Sequence, residues 1–474
     1  MNDGKANLFL RLKKLTGRFK TTINGIHISS SMLIVIDSME NQKNQKSKST
    51  RSQNSIHMHT KNFLLWTFAL LVCVVLATSS LVEATPLSDL TEGAHIKGKL
   101  RSFFQPRKLD TLPDQTLYHL GADLKVETGS WNGLKLGGAW FGSTDFGLIR
   151  EDLQASNPIL PVSDTSIFAE AYLKYNNFDT EVTVGRQRIE TPFMNGADSL
   201  LFPVTFSGYS VSNKSIKNVE LYAAHVSDVK IRQNDFFEDT DQFISRQLGI
   251  SNLRTPGTTV VGAKWKGDSF KLEGWNYIFH DLYDLFYLEG DMDLPKMGKY
   301  QPKLGFQAGH QIDIGDSEVG NVSASLVGAN FRIQRESVTA SYAFNYIPSI
   351  ADRFRNGGFL SPYSFATDAI YTNKLDGGLT VKGSAFVGWA HSWGINYDYK
   401  DSLFLGVNFT LFDLPESLGG QDSNEININF LYKFKGALKG LSVMNRIGVI
   451  QSNLASENLI EDRFMIQYDF DIFL

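Results

Sequence analysis

The chain has 474 residues, of which 46 are basic, 50 are acidic and one is cysteine. A single cysteine excludes an intrachain disulfide framework. No stretch after residue 84 reaches the roughly 18 apolar residues that a membrane-spanning helix needs. The chain is rich in glycine and aromatic residues, with 40 Gly, 34 Phe, 17 Tyr and 7 Trp beside only 13 Pro. This composition favours a large β-structure.

Residues 58–84 have the features of a secretory signal peptide. Lys61 supplies the basic end, residues 63–77 form an apolar run, and Val82-Glu83-Ala84 places small residues at the usual cleavage spacing. Lipidation of Cys73 is the alternative. The residue before a lipidated cysteine is small, whereas a valine stands there, so we expect cleavage after Ala84.

Residues 1–57 are polar and basic and precede the signal peptide. We interpret them as a disordered upstream extension before the true start at Met58. A nucleic-acid-binding arm is the alternative for such a basic tract. Residues 1–84 hold 11 basic and 4 acidic side chains, so the mature chain, residues 85–474, keeps 35 basic and 46 acidic ones, a net charge of −11. An acidic exported chain argues against a nucleic-acid partner and is compatible with the bacterial cell envelope.

The mature chain alternates between two kinds of side chain with the period of a β-strand. In residues 425–434, one face is apolar and the other is mainly polar, and the final segment repeats the pattern. The apolar faces consist of Ile426, Ile428, Phe430, Tyr432 and Phe434, and of Phe464, Ile466, Tyr468, Phe470, Ile472 and Leu474. Further alternating segments lie near 117–128, 131–142, 166–175, 179–187, 322–333, 337–347 and 402–412.

Short turns and long polar stretches separate these segments. The turns are Gly129-Ser130, Asn176-Asn177, Gly267-Asp268, Arg335-Glu336 and Lys400-Asp401, and the long stretches are 143–165, 227–256, 348–365 and 452–461. Short turns at one end and long loops at the other are typical of an outer-membrane barrel, in which closure pairs every backbone group. We therefore predict an all-β, transmembrane antiparallel β-barrel over residues 85–474. A soluble β-sandwich, propeller or β-helix is the alternative.

Several motifs in a fixed order resemble the OprD family of bacterial outer-membrane porins. The segments are VGRQRIETPF (184–193), ADSLLFPVTFSG (197–208), SWGINYDY (392–399) and KGLS (439–442). The resemblance implies a diffusion channel with 18 strands and a loop that folds into the barrel and narrows it. Leu200 and His391 depart from the family pattern, which often has arginine at both positions.

The number of strands follows from the turns. A spanning strand needs about 9–11 residues, so the 390 residues after the signal accommodate 18 strands with their connections. Nine candidate short turns would instead give 20 strands. The segment 366–390 supplies the surplus hairpin, and by the family resemblance it falls within a loop. The prediction is 18 strands, with 20 as the alternative.

Alternation also assigns charged side chains to the inner wall. On the first strand, Lys97, Lys99 and Arg101 occupy alternate positions, and we expect their side chains to point into the barrel. We group them with the other inward cations as a pore-lining basic strip, completed by Arg332, Lys382, Lys433 and Arg446. Barrel closure places the first strand beside the last ones. Acidic residues share the inward parity, namely Asp123, Glu127, Glu170 and Glu181, so an ordinary polar wall is the alternative.

The segment 188–203 contains two prolines and is too irregular to continue a strand ladder. The resemblance makes it the pore-constriction loop, with Arg188, Glu190, Asp198 and Ser199 at the narrow point. With Glu190 and Asp198 opposite the basic strip, the two would set up a transverse field. Such a field would orient an amphoteric solute that carries a carboxylate.

The sequence offers no convincing catalytic triad, phosphate loop or metal spacing, so we predict no enzyme activity, cofactor or metal site. The acidic segment 235–241 could hold calcium, but it lacks a glycine turn and regular ligand spacing, so we expect a solvated loop. The predicted function is passive diffusion of small hydrophilic solutes, including carboxylate-bearing amino acids, organic acids or peptides, through a monomer or homotrimer embedded in outer-membrane lipid. A barrel whose long loops act as an enzyme or adhesin is the alternative.

Overall fold

A computed structural model describes residues 90–110, 113–148, 160–161, 163–363, 372, 380–381, 384–385, 387–413, 415, 422–452 and 458–473. The proposed extension 1–57, the signal peptide 58–84 and Leu474 lie outside this part of the chain. In the part of the chain that the structure describes, eighteen long strands form the wall of one closed antiparallel barrel.

The wall strands are, in chain order, β1 (His95–Leu109), β2 (Gln115–Glu127), β3 (Leu134–Thr144), β4 (Thr165–Asn177), β5 (Thr180–Gln187), β6 (Thr205–Asn213), β7 (Val219–Lys230), β9 (Thr258–Lys266), β10 (Phe270–Phe279), β11 (Tyr283–Asp293), β12 (Gln301–Asp313), β13 (Ser323–Arg335), β14 (Val338–Ile347), β18 (Gly388–Tyr399), β19 (Leu403–Asp413), β20 (Ser423–Lys433), β21 (Leu441–Ser452) and β22 (Leu459–Phe473). The minor elements are β8 (Glu238–Asp239), helix α1 (Thr240–Leu248), β15 (Phe359–Leu360), β16 (Thr380–Val381), β17 (Ser384–Ala385) and two 3-10 turns at Phe354–Gly357 and Gly436–Leu438.

Closure of the barrel is visible in the pairing of β1, which bonds to β2 on one side and to β22 on the other. The wall also bypasses the minor strands, because β7 pairs directly with β9 and β14 pairs directly with β18. Strands β15, β16 and β17 form a separate small sheet. The prediction of 18 strands is therefore confirmed, and the alternative of 20 is wrong because the direct pairing of β14 with β18 leaves no place in the wall for a further hairpin between them.

The two faces of each strand differ as the alternation predicts. On β1, Leu100 and Phe104 are each 41% exposed on the outer surface, whereas Arg101 and Phe103 are 4% and 0% exposed inside. Strands β2 and β22 repeat this pattern. Apolar side chains thus cover the outside, and polar side chains and packed loops occupy the inside.

The connections fall into two groups at opposite ends of the barrel. Two-residue turns join β4 to β5 and β13 to β14, at 178–179 and 336–337. We call this end the turn end. At the other end, the loop end, most connections are long, although only residues 280–282 join β10 to β11. The loop predicted over residues 227–256 begins only after Lys230, because β7 continues to that residue.

Loops fold inward at the loop end and bury an apolar core inside the barrel. The ring of Phe243 on helix α1 stacks on Tyr363 at 5.3 Å, and Tyr363 in turn stacks on Phe279 of β10. The Tyr363 hydroxyl lies 2.9 Å from the Thr258 hydroxyl of β9. Among the described residues, no helix has both the length and the apolar character needed to cross a membrane.

Candidate functional site

The connection between β5 and β6, residues 188–204, lies inside the barrel and contacts the inner faces of several strands. The backbone N–H of Phe193 donates to the Tyr277 hydroxyl of β10 at 3.1 Å. The ring of Phe193 packs edge-on against Tyr287 of β11 at 4.9 Å. At its other end, Phe202 stacks on Phe141 of β3 at 5.2 Å. We call this segment the inner loop.

A glycine of β2 allows the inner loop to approach the wall. A Cβ atom at Gly121 would lie 2.7 Å from the Leu201 side chain. Leu200, Leu201 and Phe202 are each buried to 2% exposure or less. The apolar packing of these three residues against β1, β2 and β3 brings the preceding residues 198–199 to the same wall.

Asp198 of the inner loop forms ion pairs with two cations of β1. Arg101 donates to the Asp198 carboxylate at 2.6 Å, and Lys99 also bonds to it. Arg101 further donates to the Leu200 carbonyl and, at 2.7 Å, to Gln467 of β22. Burial opposes ionisation of Asp198, but the Arg101 and Lys99 charges outweigh it and lower the pKa of this carboxyl.

This contact corrects the predicted transverse field. Asp198 touches the basic strip instead of facing it across the lumen, because the packing of residues 200–202 holds the loop against β1–β3. At contact distance in a partly dry interior, opposite charges neutralise each other locally. A separation of charge across the lumen therefore cannot rest on Asp198.

Arg188, the first residue of the inner loop, bridges two carboxylates of the wall. Its guanidinium donates to Asp123 of β2 at 2.7 Å and to Glu170 of β4 at 2.6 Å. Lys125 also bonds to Glu170 at 2.7 Å. The inward acids of β2 and β4 therefore position the loop base through charge-assisted hydrogen bonds, which are stronger than neutral ones.

Glu190 and Ser199 line open spaces on the two sides of the inner loop. Glu190 lies beside a cavity of about 560 Å³ that Arg188, Tyr222 and Trp275 also line. Burial raises the pKa of Glu190, against the opposing effects of a hydrogen bond with the Gly196 backbone and the charge of Arg188. Ser199 lies beside a second cavity, of about 610 Å³.

The second cavity brings together most of the predicted basic strip. Lys99, Arg101, Lys433, Lys439 and Arg446 line it, with Asp198 and Asp469 as its carboxylates. These cations meet because β1, β22, β21 and β20 are consecutive in the wall. Lys97 lies in a neighbouring cavity of about 950 Å³, and its ammonium is 3.5 Å from Asp471.

Among the described members of the predicted strip, Arg332 lies away from both of these cavities. Arg332 lies on β13, on another part of the wall, and forms an ion pair with Asp291 of β11. Lys382 lies outside the described residues. His391, which stands where the family often has arginine, faces outward between Trp389 and Trp393, with ring centroids 5.9 and 6.1 Å away.

The structure adds cations that the sequence analysis did not single out. Arg107 of β1 and Arg463 of β22 both form ion pairs with the buried Glu461, the former at 2.8 Å. Arg463 is also the register partner of Arg446. Residues 461 and 463 precede Gln467 on the last strand and continue its alternation, so the same pattern would have assigned them to the inner face.

Lys230 is a further inward cation, fully buried at the end of β7. Its ammonium lies 4.9 Å from the ring centre of Phe141 and 5.1 Å from that of Phe202. The sequence analysis missed Lys230 because it placed residues 227–256 in a loop, and the alternation of side chains assigns a face only to residues in a strand. In that same stretch, the acidic segment 235–241 forms β8 and the start of α1, and Glu238 pairs with Arg246 at 2.7 Å.

Comparison with known proteins agrees with a closed barrel of this kind. The structure is similar to the outer membrane protein OpdK of Pseudomonas aeruginosa at 16% identity and a TM-score of 0.68, covering 80% of this chain and 99% of that one. It is also similar to OccAB3 of Acinetobacter baumannii at 17% identity and a TM-score of 0.69, with the same coverage of both chains. No curated protein matched the sequence.

The fold therefore defines a β-barrel of the bacterial outer membrane, with the loop end extracellular and the turn end periplasmic. The model of the family described as outer membrane porin, OprD family, matches residues 150–351. The resemblance of its motifs to that family is thus confirmed by the family model, and the chain has the fold of an OprD-like outer-membrane porin. The proteins that it resembles are porins, which are channels rather than enzymes.

Proposed function

We propose that the chain allows passive diffusion of small hydrophilic solutes across the outer membrane and favours solutes that carry a carboxylate. The observation that carries this proposal is the composition of the cavity between the inner loop and β1, β20, β21 and β22. Five cations line that cavity beside two carboxylates. The excess of positive charge suits an anionic group.

The physical basis is electrostatic focusing. Fixed cations in a water-filled channel with low-dielectric walls raise the local concentration of anions. Arginine side chains such as Arg446 can also bind a carboxylate through two parallel hydrogen bonds. Arg107 and Arg463 extend the basic side chains of the same wall toward the extracellular end.

In this proposal the inner loop sets the narrowest part of the channel, as the segment 188–203 does by resemblance. Arg188, Glu190, Asp198 and Ser199 act there as constriction residues. The constriction role is supported by the path of the loop, which contacts the inner faces of both β3 and β10. Its side chains also line cavities of about 560 and 610 Å³ on two sides.

Amphoteric solutes fit the proposal because the two cavities differ in charge and character. The cavity of about 560 Å³ is lined by five acidic and five basic side chains together with the rings of Tyr222 and Trp275, so it lacks the excess of positive charge of the other cavity. Carboxylates and aromatic faces both attract a cationic amine. The solved OpdK structure with vanillate, from a protein 16% identical to this chain, gives a precedent for a carboxylate ligand on this fold.

Liposome swelling tests the preference directly. Vesicles containing the mature chain are transferred to isotonic solutions of a small carboxylate or of its uncharged amide of similar size. We expect faster swelling with the carboxylate, and a greater difference at low ionic strength. Equal rates would contradict the preference for carboxylates. No swelling, together with no current across a planar bilayer, would refute the channel and favour an enzymatic or adhesive role for the loops.

A further inference from the structure

Lysines are unevenly distributed among the turns at the periplasmic end of the barrel. The four turns between β11 and β21 contain five lysines and two acidic residues, and they are 294–300, 336–337, 400–402 and 434–440. The four turns between β2 and β10 contain two lysines and two acidic residues, and they are 128–133, 178–179, 214–218 and 267–269. Positive charge therefore gathers on one half of the periplasmic rim.

Two cations of this half lie against outward aromatic side chains. Arg335 occupies an outward position of β13, in line with Phe331, which is 43% exposed. Its guanidinium lies 5.5 Å from the ring centre of Tyr300 and donates to the Tyr300 hydroxyl at 3.3 Å. The ammonium of Lys400 lies 5.0 Å from the ring centre of the outward Tyr399. Exposed tyrosines at the end of a barrel wall mark the level of the lipid headgroups.

Hydrogen bonds connect the turns that carry these cations. The ammonium of Lys435 donates to the Lys400 carbonyl at 3.1 Å, which brings both lysine side chains to one turn. The backbone N–H of Asp398 donates to the Ser337 carbonyl at 2.8 Å and so joins β18 to the turn beside Arg335. Neighbouring strands are only about 4.8 Å apart. We call the three cations Arg335, Lys400 and Lys435 the rim patch.

The rim patch keeps its positive charge available to an external anion. Within the described part of the chain, none of its cations forms an ion pair, although Glu336 and Asp401 are exposed in the same turns. In the lumen, by contrast, Lys303 pairs with Asp293 at 3.0 Å. Cations outnumber acids here, so the rim patch and its turns have an excess of positive charge.

We propose that the rim patch binds anionic phospholipids of the inner leaflet through their phosphate groups. Phosphate oxygens accept charge-assisted hydrogen bonds from arginine and lysine, and basic residues at a membrane surface attract anionic lipids. The position of the cations favours lipid over an acidic periplasmic protein. Arg335 and Lys400 rest on tyrosines of the outer face of the wall, where the neighbouring molecules are lipids.

A lipid that binds only the native arrangement of these turns stabilises the folded barrel. The test therefore measures the temperature at which the purified mature chain loses its folded mobility on a gel. Phosphatidylglycerol or phosphatidylcholine is added to the detergent micelles at equal concentration. Both lipids contain a phosphate, but the choline group cancels its charge. We expect phosphatidylglycerol to raise the unfolding temperature of wild type clearly more than phosphatidylcholine does.

Charge removal at the rim patch should abolish this difference between the two lipids. The test variant combines Arg335→Gln, Lys400→Gln and Lys435→Gln. The matched control removes the same charge from the other half of the rim and combines Lys214→Gln, Lys217→Gln and Lys266→Gln. The control should keep the response to phosphatidylglycerol. Native mass spectrometry counts bound phosphatidylglycerol without unfolding the protein, and we expect a loss on the order of fivefold or more in the test variant.

Three outcomes would overturn the proposal. Equal effects of the two lipids on wild type would show that the rim does not select anionic headgroups. Equal losses in the two triple variants would show a response to overall charge and not to the rim patch. Glycerol phosphate, the soluble part of the headgroup, should leave the unfolding temperature unchanged. If it acted as strongly as phosphatidylglycerol, the site would bind a free anion instead of a lipid.

Discussion

The carboxylate of Asp198 lies 2.6 Å from the guanidinium of Arg101, although 97 positions separate the two residues in the chain. This ion pair fastens the inner loop to the first strand of the barrel. It also occupies a cation that would otherwise be free to attract an anionic solute. The contact therefore links the position of the loop to the charge of the channel.

The variant Asp198→Asn should increase anion selectivity. It removes the carboxylate that neutralises Lys99 and Arg101 but leaves the size of the side chain almost unchanged. The measurement is the reversal potential of a planar bilayer in a low-salt gradient. Asp291→Asn, which frees Arg332 on another part of the wall, is the control and should cause a smaller shift. An equal shift in both variants would indicate a general effect of lumen charge.

Neutralising Lys99, Arg101 and Arg446 together with glutamine should shift the reversal potential toward cations. The effect should shrink at high salt, because the screening length falls from about 10 Å at 0.1 M to about 3 Å at 1 M. The control is the corresponding triple variant of Lys271, Lys303 and Arg332, on strands β10, β12 and β13. If the first triple variant had the same reversal potential as wild type at low salt, these three cations would have no specific role in ion selectivity.

Replacing residues 188–203 with a short Gly-Ser linker should raise single-channel conductance and reduce selectivity between solutes. The reason is that the inner loop occupies space between β3 and β10 inside the barrel. Conductance is measured only on protein with the gel mobility of a folded barrel. Unchanged conductance in that folded protein would place the narrowest point elsewhere.

Acidification should change selectivity through Glu190, which lies outside the spanning strands. Burial raises its pKa, so it binds a proton above the pH of about 4.3 at which an exposed glutamate titrates. As the pH falls from neutrality, wild type should lose this negative charge early and become more anion-selective. Glu190→Gln should lack that component, whereas the control Glu220→Gln should keep it. An identical pH profile for wild type and Glu190→Gln would contradict this assignment.

Lys230 provides a test of how the inner loop is packed. Its buried ammonium lies against Phe141 and Phe202, and removing an ion from a dry interior can offset the loss of its attractions. We expect Lys230→Met to unfold at the same or a higher urea concentration than wild type. Lys230→Ala should be less stable than Lys230→Met by about 2–5 kcal/mol, because it leaves a cavity. Equal stability of the two variants would show that the site is not tightly packed.

Alternation along the sequence was sufficient to predict the barrel and the direction of many side chains. The period of a strand is a local property, so residues 95–101 and 425–434 could be assigned to faces without knowledge of their partners. Closure then placed Lys99 and Arg101 near Arg446, and the structure brings these cations to one cavity. The motifs at 184–208 and 392–399 correctly indicated the fold of an OprD-like porin.

The partners of the loop residues and the ends of the strands were decided only by the tertiary structure. Asp198 could be assigned to the loop, but its place beside Arg101 depends on the packing of residues 200–202 against β1–β3. Lys230 and Arg463 were missed because the strands that carry them are longer than the local pattern suggested. Strand parity repeats every two residues and specifies a face, whereas the path of a loop depends on contacts with residues far away in the sequence.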